Sequence, residues 1–487
     1  MAKKKKVSKK KVSKKKVNKL IKILPLPILI IVVGIVVVIY LFQSGIISFQ
    51  KKEINNNPNT TTTVPATTDL PITTGIIPTT TNTVPTTTTS HEEGKIYEDI
   101  FYNQFEIHFL ELGSTDAGDS VFIKAGDNDI LIDAGSVQAS ATTIETYVDK
   151  YCKDGKLEYV ITTHAHTDHI AGMLGNTSTN TSKYPNKKGE KVEFNNKDGQ
   201  PISANGILSY YDIDTIIDFG NRNNSTAAIV QNYKCAVNYA VSKGAKHYSA
   251  EECFNNENGA KRTYSLGENM SFDILYNYYY FNSAEDENDY SVCTMFNYKD
   301  YHFMLTGDLE LEGETKLANY YDGSTEEKTL PHCVLFKGGH HGSPTSSNEV
   351  LLSKITPEIC CVCCCAGTAQ YTNRVDNQFP SQEFIDRIAK YTSRVYVTSM
   401  INSSNSLTSM NGNMIISSNG LNIGIKGSKN TTKLKDTTWF NEDIYVLKDS
   451  KGYDINCSGA GKTDWYTSAT EGATVRKRRT WPDYGKE

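Results

Sequence analysis

The chain has 487 residues, of which 38% are hydrophobic and 22% are charged, and this composition excludes a wholly disordered protein. Its net charge of −4 conceals a split, because removing the 14 lysines of residues 1–52 leaves 37 basic against 55 acidic residues. The resulting −18 disfavours a protein that coats duplex nucleic acid, since such a coat needs a basic face. We therefore expect no stable duplex nucleic-acid partner.

The N-terminal residues predict three successive segments. Residues 1–22 contain twelve lysines and predict a basic cytoplasmic tail. Residues 23–43 carry no charge and predict a transmembrane helix, because about twenty residues cross the roughly 30 Å hydrocarbon layer. Residues 44–95 are rich in Thr and Pro and predict an extended stalk.

These segments predict a location as well. The lysines before the apolar stretch indicate a single-pass protein of the cell membrane with a cytoplasmic N-terminus and an extracellular catalytic domain. A cleaved signal peptide is the alternative. It is disfavoured because the apolar stretch is long and no small-x-small site follows it.

Metal-binding residue types are concentrated after the fourth predicted strand. Apolar runs at 107–112, 120–125, 129–133 and 159–163 predict short buried strands. The fourth leads into the sequence His164-Ala165-His166-Thr167-Asp168-His169, which has four metal-capable side chains in six residues. His164 and His166 can hold one metal, and Asp168 and His169 a second. His and Asp ligands together favour zinc, iron or manganese over calcium.

Other segments extend this pattern along the chain: Leu131-Ile132-Asp133-Ala134-Gly135, Asn288-Asp289-Tyr290-Ser291-Val292, Met304-Leu305-Thr306-Gly307-Asp308 and Lys337-Gly338-Gly339-His340-His341-Gly342-Ser343. Together with the HxHxDH motif, they resemble the metallo-β-lactamase superfamily. Within it, residues 105–427 look like the branch typified by the hydrolase domain of the competence protein ComEC. The resemblance implies an α/β fold, an αββα sandwich with its site at the strand ends. We assign residues 96–428 to this hydrolase domain and residues 429–487 to a C-terminal extension.

The resemblance also implies roles for individual residues. Two divalent metal ions are expected, zinc first and manganese as the alternative, with the ligands His164, His166, Asp168, His169, Asp308, His340 and His341. Of the last two histidines, one should bind metal and the other face the substrate. Asp133 should support the ligands from behind. The expected catalytic residues are Asp168, Asp308 and His340, and the expected contacts to a substrate phosphate are Lys337 and Ser343.

Two departures from the family pattern affect this site. Many members carry a histidine between HxHxDH and the bridging aspartate, where this chain offers only His247 and His302. His302 lies six residues before Asp308 on one strand, about 20 Å away, and His247 is expected at the surface. The first metal would then have His164, His166, Asp308 and water. Where the branch tends to have His-Pro, this chain has Phe379-Pro380, so a phosphate contact is lost.

The implied activity is that of a membrane-anchored, metal-dependent phosphodiesterase that uses metal-bound hydroxide. Single-stranded DNA and a cell-wall or cell-surface polymer are the candidate substrates. A lactonase, esterase or β-lactamase on the same metals is an alternative, and so is a non-catalytic surface binding module. The complete ligand motifs disfavour the binding module, because a relic would be free to lose them.

Four further patterns predict local structure. Cys360 to Cys365 includes five cysteines and predicts a central strand, since a metal-binding C-x-x-C knuckle needs a turn. Residues 276–281 are aromatic and predict a strand, with base or sugar stacking as the alternative. The Asn-Gly pairs at 411–412 and 419–420 predict hairpin turns between closing strands. The basic run 476–479 is interpreted as a solvated tail.

Overall fold

The computed structural model describes residues 94–220, 225–367, 373–401, 407–455 and 462–487. The predicted cytoplasmic tail at 1–22, the predicted transmembrane helix at 23–43 and all but the last two residues of the predicted stalk lie outside these residues. The described residues belong to one compact unit, Thr87–Glu487.

The predicted fold class is corrected at its N-terminal end. Within the described ranges, no helix combines the length and the apolar character that a membrane crossing requires. The longest of these helices, Ala228–Ser242, has 15 residues and therefore spans about 22 Å, less than the roughly 30 Å of a bilayer core. A transmembrane helix is not part of the fold that the structure supports.

The described chain forms strands and short helices in alternation. The first ten strands are β1 (Ile96–Glu98), β2 (Phe105–Phe109), β3 (Val121–Ala125), β4 (Asn128–Ile132), β5 (Lys156–Ile161), β6 (Thr177–Ser178), β7 (Phe194–Asn195), β8 (Pro201–Ala204), β9 (Asp212–Asp218) and β10 (Lys246–Ser249). The later strands are β11 (Thr263–Gly267), β12 (Met270–Ile274), β13 (Thr294–Tyr298), β14 (Tyr301–Leu305), β15 (Leu335–Lys337), β16 (Ile359–Ala366), β17 (Val395–Ile401), β18 (Leu407–Ser409), β19 (Met414–Ser418), β20 (Ile423–Gly427), β21 (Asp443–Val446), β22 (Trp465–Tyr466) and β23 (Thr474–Lys477). The helices are α1 (Ser140–Val148), α2 (Thr167–Leu174), α3 (Ile207–Tyr210), α4 (Ala228–Ser242), α5 (Ala250–Asn255), α6 (Leu311–Tyr320), α7 (Glu349–Ile355), α8 (Gln382–Ile388) and α9 (Thr438–Asn441).

Two large sheets carry the fold. The nine-stranded sheet has the order β1-β20-β19-β2-β3-β4-β5-β9-β10, and the eight-stranded sheet runs from β11 to β18 in chain order. In the first sheet β4, β5, β9 and β10 are parallel, and in the second β14 to β17 are parallel. Parallel strands place their carboxyl ends at one edge of a sheet, which is where ligands collect in such folds.

Three clusters of buried hydrophobic side chains lie between the four layers of the fold. One lies between the sheets and joins residues such as Phe105 and Ile107 of β2 to Phe296 and Phe303 of the second sheet. A second packs α1, α2 and α4 on the nine-stranded sheet, and a third packs α6, α7 and α8 on the eight-stranded sheet. The order of layers is helix, sheet, sheet, helix, so the predicted αββα sandwich is present.

Local predictions agree with the structure to different degrees. The cysteine-rich run is the strand β16, as predicted, and the described cysteines are free thiols. The turn at 419–420 joins the antiparallel strands β19 and β20, as predicted. The turn at 411–412 instead crosses between the sheets, because β18 and β19 belong to different ones. Asn411 is buried there, and its amide oxygen accepts a hydrogen bond from the Val397 N–H at 2.9 Å.

Two predictions were wrong. Residues 276–281 do not form a strand, since Tyr278–Tyr280 is a short 3-10 helix that the side chain of Asn277 caps by accepting from the Tyr279 N–H at 3.0 Å. The basic run 476–479 is not a solvated tail throughout. Arg478 and Arg479, which follow β23, are only 3% and 2% exposed.

Candidate metal centre

The predicted metal ligands come together at the carboxyl-end edge of both sheets. Asp133 directly follows β4, and Thr162 and Thr163 separate the end of β5 from His164. Asp308 follows β14, and His340 follows β15. The first ligand-bearing loop, which comprises residues 164–169, runs directly into α2. Within α2, a Cβ on Gly172 would lie 2.1 Å from the carbonyl oxygen of Ala134. The helix therefore packs against the backbone after β4 and brings His169 to Asp133.

Four of the predicted ligands form a tight set. One ligand atom each from Asp168, His169, Asp308 and His341 lies within 4.8 Å of the others, and we call these residues the ligand quartet. Nε2 of His169 is 3.1 Å from Asp308 Oδ2. Nε2 of His341 is 3.3 Å from both Asp308 Oδ2 and Asp168 Oδ2. Asp308 Oδ2 therefore faces both imidazoles, the placement expected of a shared ligand.

The histidines of the quartet have their other ring nitrogens fixed from behind. Nδ1 of His169 donates to Asp133 Oδ2 at 2.8 Å, and the same carboxylate accepts from the Thr163 hydroxyl at 2.7 Å. Nδ1 of His341 donates to the carbonyl oxygen of Cys363 at 2.8 Å. Each Nε2 is thereby directed towards the centre, and such partners fix the tautomer and the orientation of a metal-binding imidazole.

Asp119 is a site residue that the sequence analysis missed. Its Oδ2 is 2.5 Å from Nζ of Lys337, and its Oδ1 is 3.1 Å from Nδ1 of His341. It is 2% exposed, and charged side chains are seldom buried without a partner. The available signal was an acidic residue placed directly before a fully buried run, residues 120–123, which becomes part of β3.

The chemistry of this set fits a divalent cation. Asp119, Asp133, Asp168 and Asp308 converge on the centre, where the buried ammonium of Lys337 faces Asp119 and Asp308. Oδ1 of Asp308 is buried and has no hydrogen-bond partner among the described residues. Two carboxylates with two imidazoles suit zinc, iron or manganese. The fold likewise implies divalent metal ions, and their identity as zinc is part of the proposal below.

The pKa values reflect the same excess of carboxylates. Burial alone would lower the pKa of His169, but Asp308 and Asp133 outweigh it and hold the pKa well above its ordinary value. The pKa of His341 is likewise raised, because Asp308 and Asp119 outweigh its burial. A divalent cation competes for these ring nitrogens, so its binding releases protons.

His164 and His166 form a second, smaller set. Nε2 of His164 and Nδ1 of His166 are 3.2 Å apart, close to the roughly 3.3 Å between two imidazole nitrogens on one tetrahedral zinc. Burial, followed by the nearby His169, lowers the pKa of His164 well below its ordinary value. Nδ1 of His166 also lies 2.8 Å from the amide oxygen of Asn288. No third carboxylate, His or Cys of the described chain closes a tight set with this pair.

The two histidines between the HxHxDH motif and Asp308 lie outside both sets of ligands. His247 is on β10, where Nε2 contacts Asp218 Oδ2 at 3.0 Å. His302 is on β14, where Nδ1 contacts the amide oxygen of Asn297 at 2.8 Å. Neither is in a position to complete the pair formed by His164 and His166.

The second ligand-bearing loop, residues 340–343, separates its two histidines. His341 is fully buried and belongs to the ligand quartet, whereas the His340 side chain is 14% exposed. Nδ1 of His340 lies 3.3 Å from Glu310 Oε1, and Nε2 lies 3.9 Å from Asp308 Oδ2. The structure thus makes His341 the candidate ligand and leaves His340 facing the open side.

The backbone of this second loop is strained. His340 and His341 both have left-handed φ values, 46° and 53°, a conformation that costs a non-glycine residue about 1–3 kcal/mol. Contacts from distant residues hold the following segment. Glu314 accepts from the N–H groups of Ser347 at 2.7 Å and Asn348 at 2.8 Å, and Arg387 donates to three carbonyl oxygens of residues 344–347.

The predicted phosphate contacts are placed differently from expectation. Lys337 is 2% exposed, and its Nζ contacts Asp119 and the carbonyl oxygens of Gly307 and Gly338 at 3.0 and 3.2 Å. Its ammonium therefore lies beneath the centre and not at its open face. Ser343 is 3% exposed, and its hydroxyl contacts Thr345 Oγ1 at 3.0 Å.

The comparison with protein families bears on residues 113–207. This segment, which contains the first ligand-bearing loop, matches the family model described as the metallo-beta-lactamase superfamily. The match supports that superfamily. With the sandwich and its candidate His/Asp metal sites, it supports a hydrolase of the metallo-β-lactamase fold that depends on divalent metal. No curated protein matches the chain.

Solved structures of the metallo-β-lactamase fold are similar to this chain at low identity. The metallo-beta-lactamase fold protein YhfI from Bacillus subtilis has 9% identity and a TM-score of 0.30, over 63% of this chain and 100% of its own. The short form of human tRNase Z has 12% identity and a TM-score of 0.29, over 64% and 98%. A diphosphatase of the PhnP family has 9% identity and a TM-score of 0.26, over 53% and 85%. With TM-scores under 0.5, these likenesses carry no inference about activity.

Proposed function

We propose that this protein is a metal-dependent phosphodiesterase of the metallo-β-lactamase fold. The observation that carries the proposal is the ligand quartet, because its two carboxylates and two imidazoles meet in a buried centre beside an accessible histidine. The resemblance of the residues 337–343 to the ComEC-like branch supports a phosphodiester over a lactone or a β-lactam. The candidate ions are two, zinc first and manganese second.

The proposed division of labour follows from the geometry. When bound, the metal ions would lower the pKa of a water and stabilise negative charge on a phosphoryl oxygen. Asp168, His169, Asp308 and His341 would hold one ion, and His164 and His166 would hold the other. Asp133 and Asp119 would keep the imidazoles of His169 and His341 in place through contacts of 2.8 and 3.1 Å to Nδ1 of each ring.

His340 is the proposed proton donor. Its Nδ1 faces the carboxylate of Glu310, which orients the ring. Its Nε2 is then free to deliver a proton to the leaving oxygen of the substrate. Glu310 is itself held by the Thr345 hydroxyl at 2.9 Å and the Asn288 amide at 3.1 Å, so the pair is fixed on both sides.

The substrate should be a small or single-stranded phosphodiester. The partly exposed residues that contact the centre include Asp168 and Glu310, which would repel the dense phosphate charge of a duplex. Lys337, the strongest basic candidate, is buried beneath the centre. Single-stranded DNA and a cell-wall phosphodiester remain the natural candidates, and the assay below distinguishes them from a small ester.

The test uses the full chain loaded with zinc or manganese. Bis(p-nitrophenyl) phosphate, single-stranded DNA, p-nitrophenyl acetate and a γ-lactone are assayed in parallel. We expect turnover of the phosphodiester, and we expect Asp308→Asn to reduce it roughly 10³-fold because charge stabilisation in the centre is lost. The matched control is Asp300→Asn, which alters an exposed aspartate in the turn before β14 and should leave turnover unchanged.

The outcomes separate the candidate functions. Hydrolysis of the acetate or the lactone alone would replace the phosphodiesterase with an esterase or lactonase on the same residues. Failure to hydrolyse any of the four, with metal bound at full stoichiometry, would favour the binding module. Equal loss in Asp300→Asn and Asp308→Asn would show that the effect comes from charge in general and not from the centre.

A further inference from the structure

The C-terminal residues reach back to the metal centre through one loop. Residues 373–381, which we call the bridging loop, lead into α8 and include Phe379. The small sheet of β21, β22 and β23 ends with Arg478 and Arg479, directly beside this loop. Asp464 adds a second anchor, because its Oδ1 accepts from the Val375 N–H at 3.0 Å.

Arg479 binds the backbone of the bridging loop at three points. Its Nε donates to the Pro380 carbonyl at 2.9 Å, and its Nη2 donates to the carbonyls of Val375 at 3.0 Å and Gln378 at 2.6 Å. Nη1 donates to the carbonyl of Arg478 at 2.8 Å. The rigid fork of a guanidinium suits such a spread of acceptors, whereas an ammonium is a single point of charge.

The burial of this guanidinium is unusual. Arg479 is 2% exposed, and no carboxylate of the described residues lies within ion-pair distance of it. Burial, with the neighbouring Arg478, lowers the pKa of Arg479 to about 10. A buried cation without an anionic partner is costly, so its four carbonyl contacts must offset that cost.

The bridging loop in turn touches the second ligand-bearing loop. The ring of Phe379 lies 5.9 Å from that of His340 and 6.5 Å from that of His341, measured between centroids. The Ser381 N–H donates to the Gly342 carbonyl at 2.9 Å. Gly342 fits closely, since a Cβ there would lie 2.9 Å from the Cβ of Pro380. The bridging loop thus supports the two left-handed histidines from one side.

We propose that Arg479 is a positioning residue for the metal centre, acting through the bridging loop on His341 and His340. The proposal rests on the metal centre of the proposed function but not on its substrate. It gives residues 429–487 a role in the site: the C-terminal residues fix the bridging loop, and the bridging loop keeps the second ligand-bearing loop in its strained conformation. The exposed Lys477, the last residue of β23, pairs with Asp443 of β21 and contacts none of the three carbonyls.

The experiment is a cobalt titration of the metal-free full chain. Co²⁺ reports the ligand field through its visible absorption, so substrate turnover is not needed. We expect Arg479→Lys to weaken cobalt binding about tenfold and alter the absorption spectrum, at the lower end of the effects of partners that orient metal ligands. Lys477→Arg is the control and should bind cobalt like the unaltered protein, because Lys477 pairs with Asp443 outside the bridging loop.

A second variant separates positioning from mere stability. Phe379→Leu leaves Arg479 intact but removes the ring that contacts the two histidines, and it should weaken cobalt binding in the same direction. If Arg479→Lys and Phe379→Leu lower the melting temperature but keep the cobalt affinity and spectrum, the proposal is overturned. If Arg479→Lys does not fold, Phe379→Leu decides, and an unchanged spectrum in it overturns the proposal. Cobalt binding without any hydrolysis would contradict the proposed function and leave this inference standing.

Discussion

The two ligand-bearing loops of the centre are built in opposite ways. Residues 164–169 place two metal-capable side chains before α2 and two in its first turn, and none of these residues has a left-handed φ. Residues 340–343 place two histidines in succession on left-handed backbone. The first loop is contacted by Asp133 and Asn288 from elsewhere in the chain, but it needs no unusual backbone angle. The second depends on Asp119, Glu314, Arg387 and the bridging loop, which come from elsewhere in the chain.

This difference determines where the centre is vulnerable. The first loop has no strained backbone angle to maintain, so it should keep its shape when a single distant contact, such as that of Asn288 with His166, is removed. A strained loop should relax when any one support is lost, because the rest of the structure must maintain its conformation. Substitutions among the remote supports should therefore affect His340 and His341 more than His164 and His166.

The largest expected effect among these supports is that of Asp119→Asn. The substitution leaves Lys337 buried without the carboxylate that now lies 2.5 Å away, and breaking a buried pair costs about 3–5 kcal/mol. We expect a loss of this size in the free energy of unfolding, measured by urea denaturation. Asp116→Asn, at an exposed position three residues earlier, is the control and should change stability little. A loss below about 1 kcal/mol in Asp119→Asn would contradict the dependence on remote supports.

Glu314→Gln should have an intermediate effect. Glu314 is fully buried on α6, and its carboxylate accepts from the Ser347 and Asn348 N–H groups and from the Asn348 side-chain amide. An amide presents one acceptor in place of two, so we expect a loss of about 1–3 kcal/mol in the free energy of unfolding. Glu312→Gln alters a 67% exposed side chain of the same helix and should be nearly silent. Equal losses in the two variants would argue against a specific role for Glu314.

Thr345→Val should have the smallest effect and should sharpen the role of His340. Its hydroxyl contacts Glu310 at 2.9 Å and Nδ1 of His340 at 3.1 Å, and valine has nearly the same shape without the hydroxyl. A hydrogen bond is worth about 0.5–1.5 kcal/mol, so we expect kcat on the phosphodiester to fall about three- to tenfold. Metal content, measured by atomic absorption, should stay constant. Thr329→Val, at an exposed site, is the control. A fall in the metal content of Thr345→Val would show that Thr345 supports metal binding and not proton donation by His340.

Much of the site could be predicted because its ligands occur in short, ordered motifs. The pattern from His164 to His169 identifies its own ligands, and Asp133 and Asp308 each follow a buried strand. The choice between His340 and His341 could not be made, because it depends on which ring the left-handed backbone turns inwards. Lys337 was expected at the substrate, but its burial depends on Asp119, which lies more than two hundred residues earlier in the chain.

The sandwich was predictable for a similar reason, and the misses have physical causes. Apolar runs indicate buried strands whatever their partners, so β16 could be identified from its cysteines alone. The turn at Asn411 could not be distinguished from a hairpin, because only the sheet assignment of β18 and β19 shows that the chain changes layers. Arg478 and Arg479 have the composition of a solvated tail. Arg479 is buried against carbonyl oxygens of the bridging loop, and Arg478 against the side chains of Glu442 and Gln378.

The buried cysteines of β16 can report how fast the folded protein opens. Cys360, Cys361 and Cys363 are buried on both faces of the strand, and burial raises the pKa of Cys360 and of Cys363 to about 12. Since the thiolate is the reactive form, these thiols should not react with alkylating reagents while the layers of the sandwich stay packed together. A cysteine that becomes reactive would indicate that the eight-stranded sheet has separated from the layers packed against it. The rate of alkylation would therefore measure the opening of the sandwich without any introduced label.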